Sequence, residues 1–203
     1  MKETNTTAWF QSLEKALGKL AAIAAVVVLL IFPLYVRDFY FDILNAKYQF
    51  YYITMLAVFV IVFIIFVVHI IQDFRYEDGK NVKAMFKKFS IKKMPLSHIF
   101  ASIFLIVCII STLQSQYLYE SFWGNEGRYT GLFLLSIYVL SFLFISRFLK
   151  LKKRYLNLFL IAGMLACIFG ITDYFKLNLL HFKDELVAAD WPVYTSTFGN
   201  INT

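Results

Sequence analysis

Five long apolar runs constrain this chain more than any other feature. They cover residues 20–36, 48–71, 97–113, 130–149 and 155–172. Each is close to the ~20 residues needed to cross a hydrocarbon core ~30 Å thick, and the shorter ones can borrow interfacial residues at their ends. Backbone in lipid has no water to bond to and must satisfy its own N–H and C=O groups, so helices are the default. The expected fold is therefore all-α: a polytopic transmembrane helix bundle of five complete spans in a cell membrane. Composition agrees. Hydrophobic residues make up 60% and charged residues 16%, against about 45–50% and about 25% in ordinary soluble domains. Core arguments for soluble domains do not apply to such a chain.

The first run follows lysines, as the apolar part of a signal peptide would. No small-residue cleavage site follows it, and the chain continues Val36-Arg37-Asp38. It reads as an uncleaved first span, with Pro33 placed to kink its end. Before it, residues 1–19 carry Trp9, Phe10, Leu13 and Leu17 at helical spacing, continued by Leu20. That pattern predicts an amphipathic helix lying on the membrane surface.

Charge placement sets the expected orientation. Of the 20 lysines and arginines, fifteen fall in the N-terminal segment (Lys2, Lys15, Lys19), the loop from Arg75 to Lys93, and the loop from Arg147 to Arg154. The remaining five are Arg37, Lys47, Arg128, Lys176 and Lys183. The N-terminus is thus expected in the cytoplasm, with Arg128 facing outward. The net charge of +7 is a topology signal before it is anything else. The Lys80–Lys93 stretch suits anionic lipid heads better than nucleic acid, so membrane lipids are expected partners and nucleic acid is not.

All Asp, Glu, Lys and Arg residues lie at or outside the ends of the five runs. That argues against an ion path built from these helices alone. Cys108 and Cys167 lie inside apolar runs and read as packing residues. With no His or Cys partners at ligand spacing, neither a metal site nor a disulfide framework is suggested; no cofactor is expected. Ala162, Ala166 and Gly170, and likewise Ala21 and Ala25, recur at the spacing that lets helices approach closely in lipid.

Polar features converge on the outward side. Three of the eight glycines, Gly124, Gly127 and Gly131, fall in 121–131 beside Arg128. Glycine admits tight turns and close approach to a ligand, and a guanidinium beside such backbone suits a phosphate or carboxylate. A helix starting near Gly127 would add the positive end of its dipole. The same residues also read as an interfacial turn, with Trp123 as aromatic anchor and Asn125 as helix cap. Glu126 would repel phosphate unless it pairs with Arg128 or meets a sugar hydroxyl. His181 and Glu185, four apart, could share a helix face as an acid/base pair. A solvated interfacial helix explains them as well. His69 and Asp73 have the same spacing at the inner end of the second run, and no chemistry is assigned to them.

The run Phe122-Trp123-Gly124-Asn125-Glu126-Gly127-Arg128-Tyr129-Thr130-Gly131 before an apolar helix resembles the O-antigen ligase and polysaccharide polymerase family of bacteria. So do Thr195–Thr203, the stretch from Gly170 to Asn178, Arg37–Asp42 and Ala46-Lys47-Tyr48. One departure is Asn178-Leu179-Leu180, where the family more usually has Asp-Pro-Leu. The resemblance covers essentially all 203 residues, but only the N-terminal part of a typical member. It implies a metal-independent membrane glycosyltransferase. Such an enzyme moves a glycan from a polyprenyl diphosphate carrier to a glycan, lipid or protein acceptor at the outer face. It further implies that residues 173–194 are external and that 195–203 open a sixth span of a longer chain. The family's catalytic external loop would lie beyond residue 203, so no catalytic residue is expected here. Arg128, with Gly127 and Asn125, would lie near the donor diphosphate. Gly199, Asn200 and Asn202 would shape the external mouth. A non-catalytic membrane module and a carrier or flippase for lipid-linked sugars are the competing readings.

Overall fold

A computed structural model describes residues 2–37, 43–88, 94–125, 128–178, 181–184, 186–187, 189, 191 and 194–200. The fold is helical. Helix α1 runs Lys2–Val26 and continues through a wider π turn, Val27–Ile31, into a last turn, Phe32–Leu34. Then come α2 (Ile43–Glu77), α3 (Lys80–Lys88), α4 (Leu96–Leu113), the short α5 (Leu118–Trp123), α6 (Leu132–Phe148) and α7 (Lys153–Tyr174). Four stretches are long and apolar enough to cross a membrane: Ala8–Leu34, Ile43–Glu77, Leu96–Leu113 and Lys153–Tyr174. Helix α6, at 17 residues, is apolar but shorter. The chain is a membrane protein on this account. Its lipid-side character shows in exposed Val60, Phe63, Ile64, Ile106 and Val107, which would be costly in water.

Pro33 explains the π turn. Proline has no N–H, and its ring clashes with the carbonyl one turn back. Just before it, the Phe32 N–H bonds Val27 O, five residues earlier, which widens the helix locally. The helix expected on the surface at 1–19 is the unbroken start of α1. Leu13, Leu17 and Leu20 are buried there, so that apolar stripe packs on protein rather than on lipid.

The chain forms two compact units. The first comprises Met1–Ile23, Met55–Asn125 and Thr130–Lys150. Its core holds Leu13 and Leu17 of α1, Met55 and Val58 of α2, and Leu134, Ile137 and Phe144 of α6. Helices α4 and α6 pack together, joined by a His98 Nε2–Ser146 Oγ contact of 2.8 Å. The Trp9 Nε1–H donates to His69 O at 3.2 Å. Asp73 is buried as a structural acceptor for the start of α3.

The second unit comprises Ala24–Thr54, Glu126–Tyr129 and Leu151–Thr203. The π turn and last turn of α1 pack on α7. Ala24, Ala25, Ala162 and Ala166 are all buried, as small residues that let helix backbones approach in lipid should be. Of residues 195–203, expected to open a sixth span, 195–200 form a tight hairpin with Tyr194 instead, and 201–203 lie outside the described residues. Tyr194 pairs with Asn200, and Thr195 with Gly199, around Ser196–Phe198. Ser196 has φ 59°, a left-handed conformation foreign to a right-handed α-helix, and Ser196–Phe198 form a single 3-10 turn at the tip.

Candidate functional site

The site is built in the second unit from chain ends that sequence alone keeps far apart. Where α1 stops, its last carbonyls run short of helical partners, Phe32 O keeping the Tyr35 N–H at 3.3 Å. Lys47 supplies one: its Nζ donates to Phe32 O at 3.0 Å and to Pro33 O at 3.1 Å. The ammonium also lies 5.3 Å from the Phe32 ring centroid, within cation–π range. The Thr197 hydroxyl donates to Pro33 O at 2.8 Å. A cation at a helix C-terminus is favoured by the helix dipole. Lys47, expected in an external loop, is therefore a half-buried structural residue in the second turn of α2.

Asp173, near the end of α7, anchors the hairpin. Its Oδ2 accepts the Ser196 N–H at 2.6 Å, and its Oδ1 lies 3.5 Å from Lys183 Nζ. That pair is nearly dry, with side chains 4% and 10% exposed for Lys183 and Asp173. Lys183 also donates to Trp191 O at 3.1 Å. The Ser196 hydroxyl donates to Ala166 O. His181, with φ 58°, sits beside Asp184: its Nδ1 is 2.9 Å from Asp184 Oδ2. The same carboxylate accepts from Asn178 Nδ2 at 2.6 Å. Glu185 lies outside the described residues.

Arg128 sits where an anion can reach it. It is exposed and has no hydrogen bond or ion pair among the described residues. Its backbone is positioned by the next residue. Tyr129, with φ 52°, stacks on Tyr48 of α2 at 4.4 Å between centroids and 8° between planes. The helix that follows begins at Leu132 with Gly131 as its N-cap and no side-chain cap. The expected start near Gly127 is therefore displaced, and so is the expected cap at Asn125. Left-handed Tyr129 and extended Gly131 (ψ 176°) keep 129–131 out of the helix. In the first unit, Asn125 is exposed just after α5. Gly131 there lies so close that a Cβ would overlap Phe122 O and Gly124 N.

No family model, curated protein or solved structure matches the chain. What the geometry adds stands by itself. Of the residues expected at the site, Gly199 and Asn200 form the second hairpin strand, while Gly127 and Asn202 lie outside the described residues. Sequence reasoning missed the Lys47, Asp173–Lys183 and Ser196/Thr197 contacts. The available signal was Pro33, which predicts unpartnered carbonyls that something must satisfy.

Proposed function

We propose that this chain is the amino-terminal membrane portion of a bacterial glycan ligase or polymerase. In this reading it has five spans and a cytoplasmic N-terminus, and it presents Arg128 to a polyprenyl-diphosphate-linked glycan at the outer face. One observation carries the reading. Stretches that resemble the family are separated by many residues in sequence: Lys47-Tyr48, Arg128-Tyr129, Asp173 and Ser196-Thr197. They belong to one compact unit, joined by the Tyr48–Tyr129 stack, the Thr197–Pro33 bond and the Asp173–Ser196 bond. A scaffold that fixes Tyr129 holds the backbone of adjacent Arg128, whose guanidinium has no partner among the described residues. When the glycosidic bond breaks, the diphosphate leaves with its electron pair, and an arginine beside it offsets the developing charge.

The test is Arg128→Lys and Arg128→Ala in the protein expressed from its own gene. Both should reduce polymer formation, alanine more than lysine, because lysine keeps the charge but not the bidentate fork. Normal polymer at normal expression would refute the role. Orientation is tested separately. A cysteine at Asn125 should react with an impermeant thiol reagent in intact cells, and one at Ala84 should not. The opposite pattern would remove the outer-face site.

A further inference from the structure

The turn after α2 contains the best-defined cationic feature outside the site already described. It lies wholly within the first unit. The apolar part of α2 ends at Ile71. Asp73 follows two residues later, about 3 Å further along the helix axis. At this level Ile71, Phe74 and Tyr76 are all exposed. Aromatic rings at the end of an apolar helix mark the water–lipid boundary.

Asp73 then ties α3 back to that depth. Asp78 (φ 52°) and Gly79 (φ 72°) reverse the chain through two left-handed residues. The Gly79 N–H donates to Asp73 O at 3.2 Å. The buried Asp73 carboxylate accepts the Asn81 N–H at 3.3 Å, the Asn81 side-chain amide at 2.6 Å and the Val82 N–H at 2.9 Å. A carboxylate on the first N–H groups of a helix satisfies two orphan donors and complements the dipole. Asn81 and Val82 are thereby buried against protein, while Lys80 and Lys83 on either side of them are exposed. Those lysines are three residues apart and so share one side of the helix. Arg75, on the last turn of α2, is exposed as well.

We infer that Arg75, Lys80 and Lys83 form a binding site for anionic phospholipid headgroups, held at headgroup depth by Asp73. The occupant follows from charge and depth together: three exposed cations beside the end of an apolar helix meet the phosphodiesters of a bilayer. A basic segment next to a membrane span is drawn to anionic lipid by just this field. The inference does not depend on glycan transfer.

Native mass spectrometry of the full chain, with added phosphatidylglycerol or phosphatidylcholine, tests it. The anionic lipid should be retained and the zwitterionic one released. The exposed triple variant Arg75→Gln/Lys80→Gln/Lys83→Gln should weaken phosphatidylglycerol binding on the order of a hundredfold. Asp73→Ala leaves every cation in place and makes the chain more positive. If the site is positioned, that variant should nevertheless bind more weakly. Equal retention of both lipids, unchanged binding by the triple variant, undiminished binding by Asp73→Ala, or displacement by an equal concentration of inorganic phosphate would each overturn the inference.

Discussion

Asp173→Ala should be among the most damaging single substitutions at the end of α7 and in the segment that follows it. The Asp173–Lys183 pair is separated by 3.5 Å and nearly excluded from water. At an effective dielectric of about 20, two unit charges at that distance attract by roughly 5 kcal/mol before desolvation is counted. Removing one member of a buried pair costs about 3–5 kcal/mol, because the other charge stays behind. The same change takes the acceptor from the Ser196 N–H, worth about 1–3 kcal/mol if the donor stays buried. Asp173→Ala/Lys183→Met removes both charges. It should keep the Ser196 part of the loss and that of the Lys183–Trp191 bond. Each single variant strands a charge at about 3–5 kcal/mol, so the summed single losses should exceed the double-variant loss by several kcal/mol, at or above the usual ~0.5–3 kcal/mol coupling of contacting residues. The assay is equilibrium unfolding in mixed micelles with Trp9 and Trp123 replaced by Phe. Trp191 then reports locally, since its carbonyl accepts from Lys183 and its indole donates to Leu186 O. A coupling below about 0.5 kcal/mol would refute the argument that this pair, rather than apolar packing, holds the hairpin.

Two further outcomes test the packing. Gly131 has φ −81° and ψ 176°, which alanine tolerates. Gly131→Ala should therefore cost about 1–3 kcal/mol through overlap with Phe122 O and Gly124 N alone. Gly163→Ala, with nothing within 4 Å of the added methyl, should be neutral or stabilising by up to about 1 kcal/mol. Equal melting temperatures for the two variants would contradict this. The Tyr48–Tyr129 stack should give a coupling of about 0.5–1.5 kcal/mol in a Tyr48→Ala/Tyr129→Ala cycle read by thermal shift. Tyr129→Phe should be nearly silent, and a zero coupling would detach Arg128 from that scaffold.

The sequence by itself determined where the apolar helices lie. The run read at 97–113 is the helix Leu96–Leu113, and the run at 155–172 lies within Lys153–Tyr174. Hydropathy works here because a lipid-exposed backbone has no alternative to bonding with itself. The closely approaching small residues were legible too, since Ala162 and Ala166 repeat at helical spacing and are buried. The isolation of Arg128 from the basic loops was also visible, but the start of its following helix was not. Left-handed Tyr129 depends on a ring stacked from α2, far away in the chain. Only the tertiary structure decided that Lys47 caps α1, that Asp73 caps α3 and that Asp173 holds both Ser196 and Lys183. In each case at least one bonding partner is a backbone group, identical in every residue type and silent in the sequence. Thr197 meets Pro33 O across 164 positions because a proline-ended helix leaves a carbonyl that must be satisfied, and folding chooses what satisfies it.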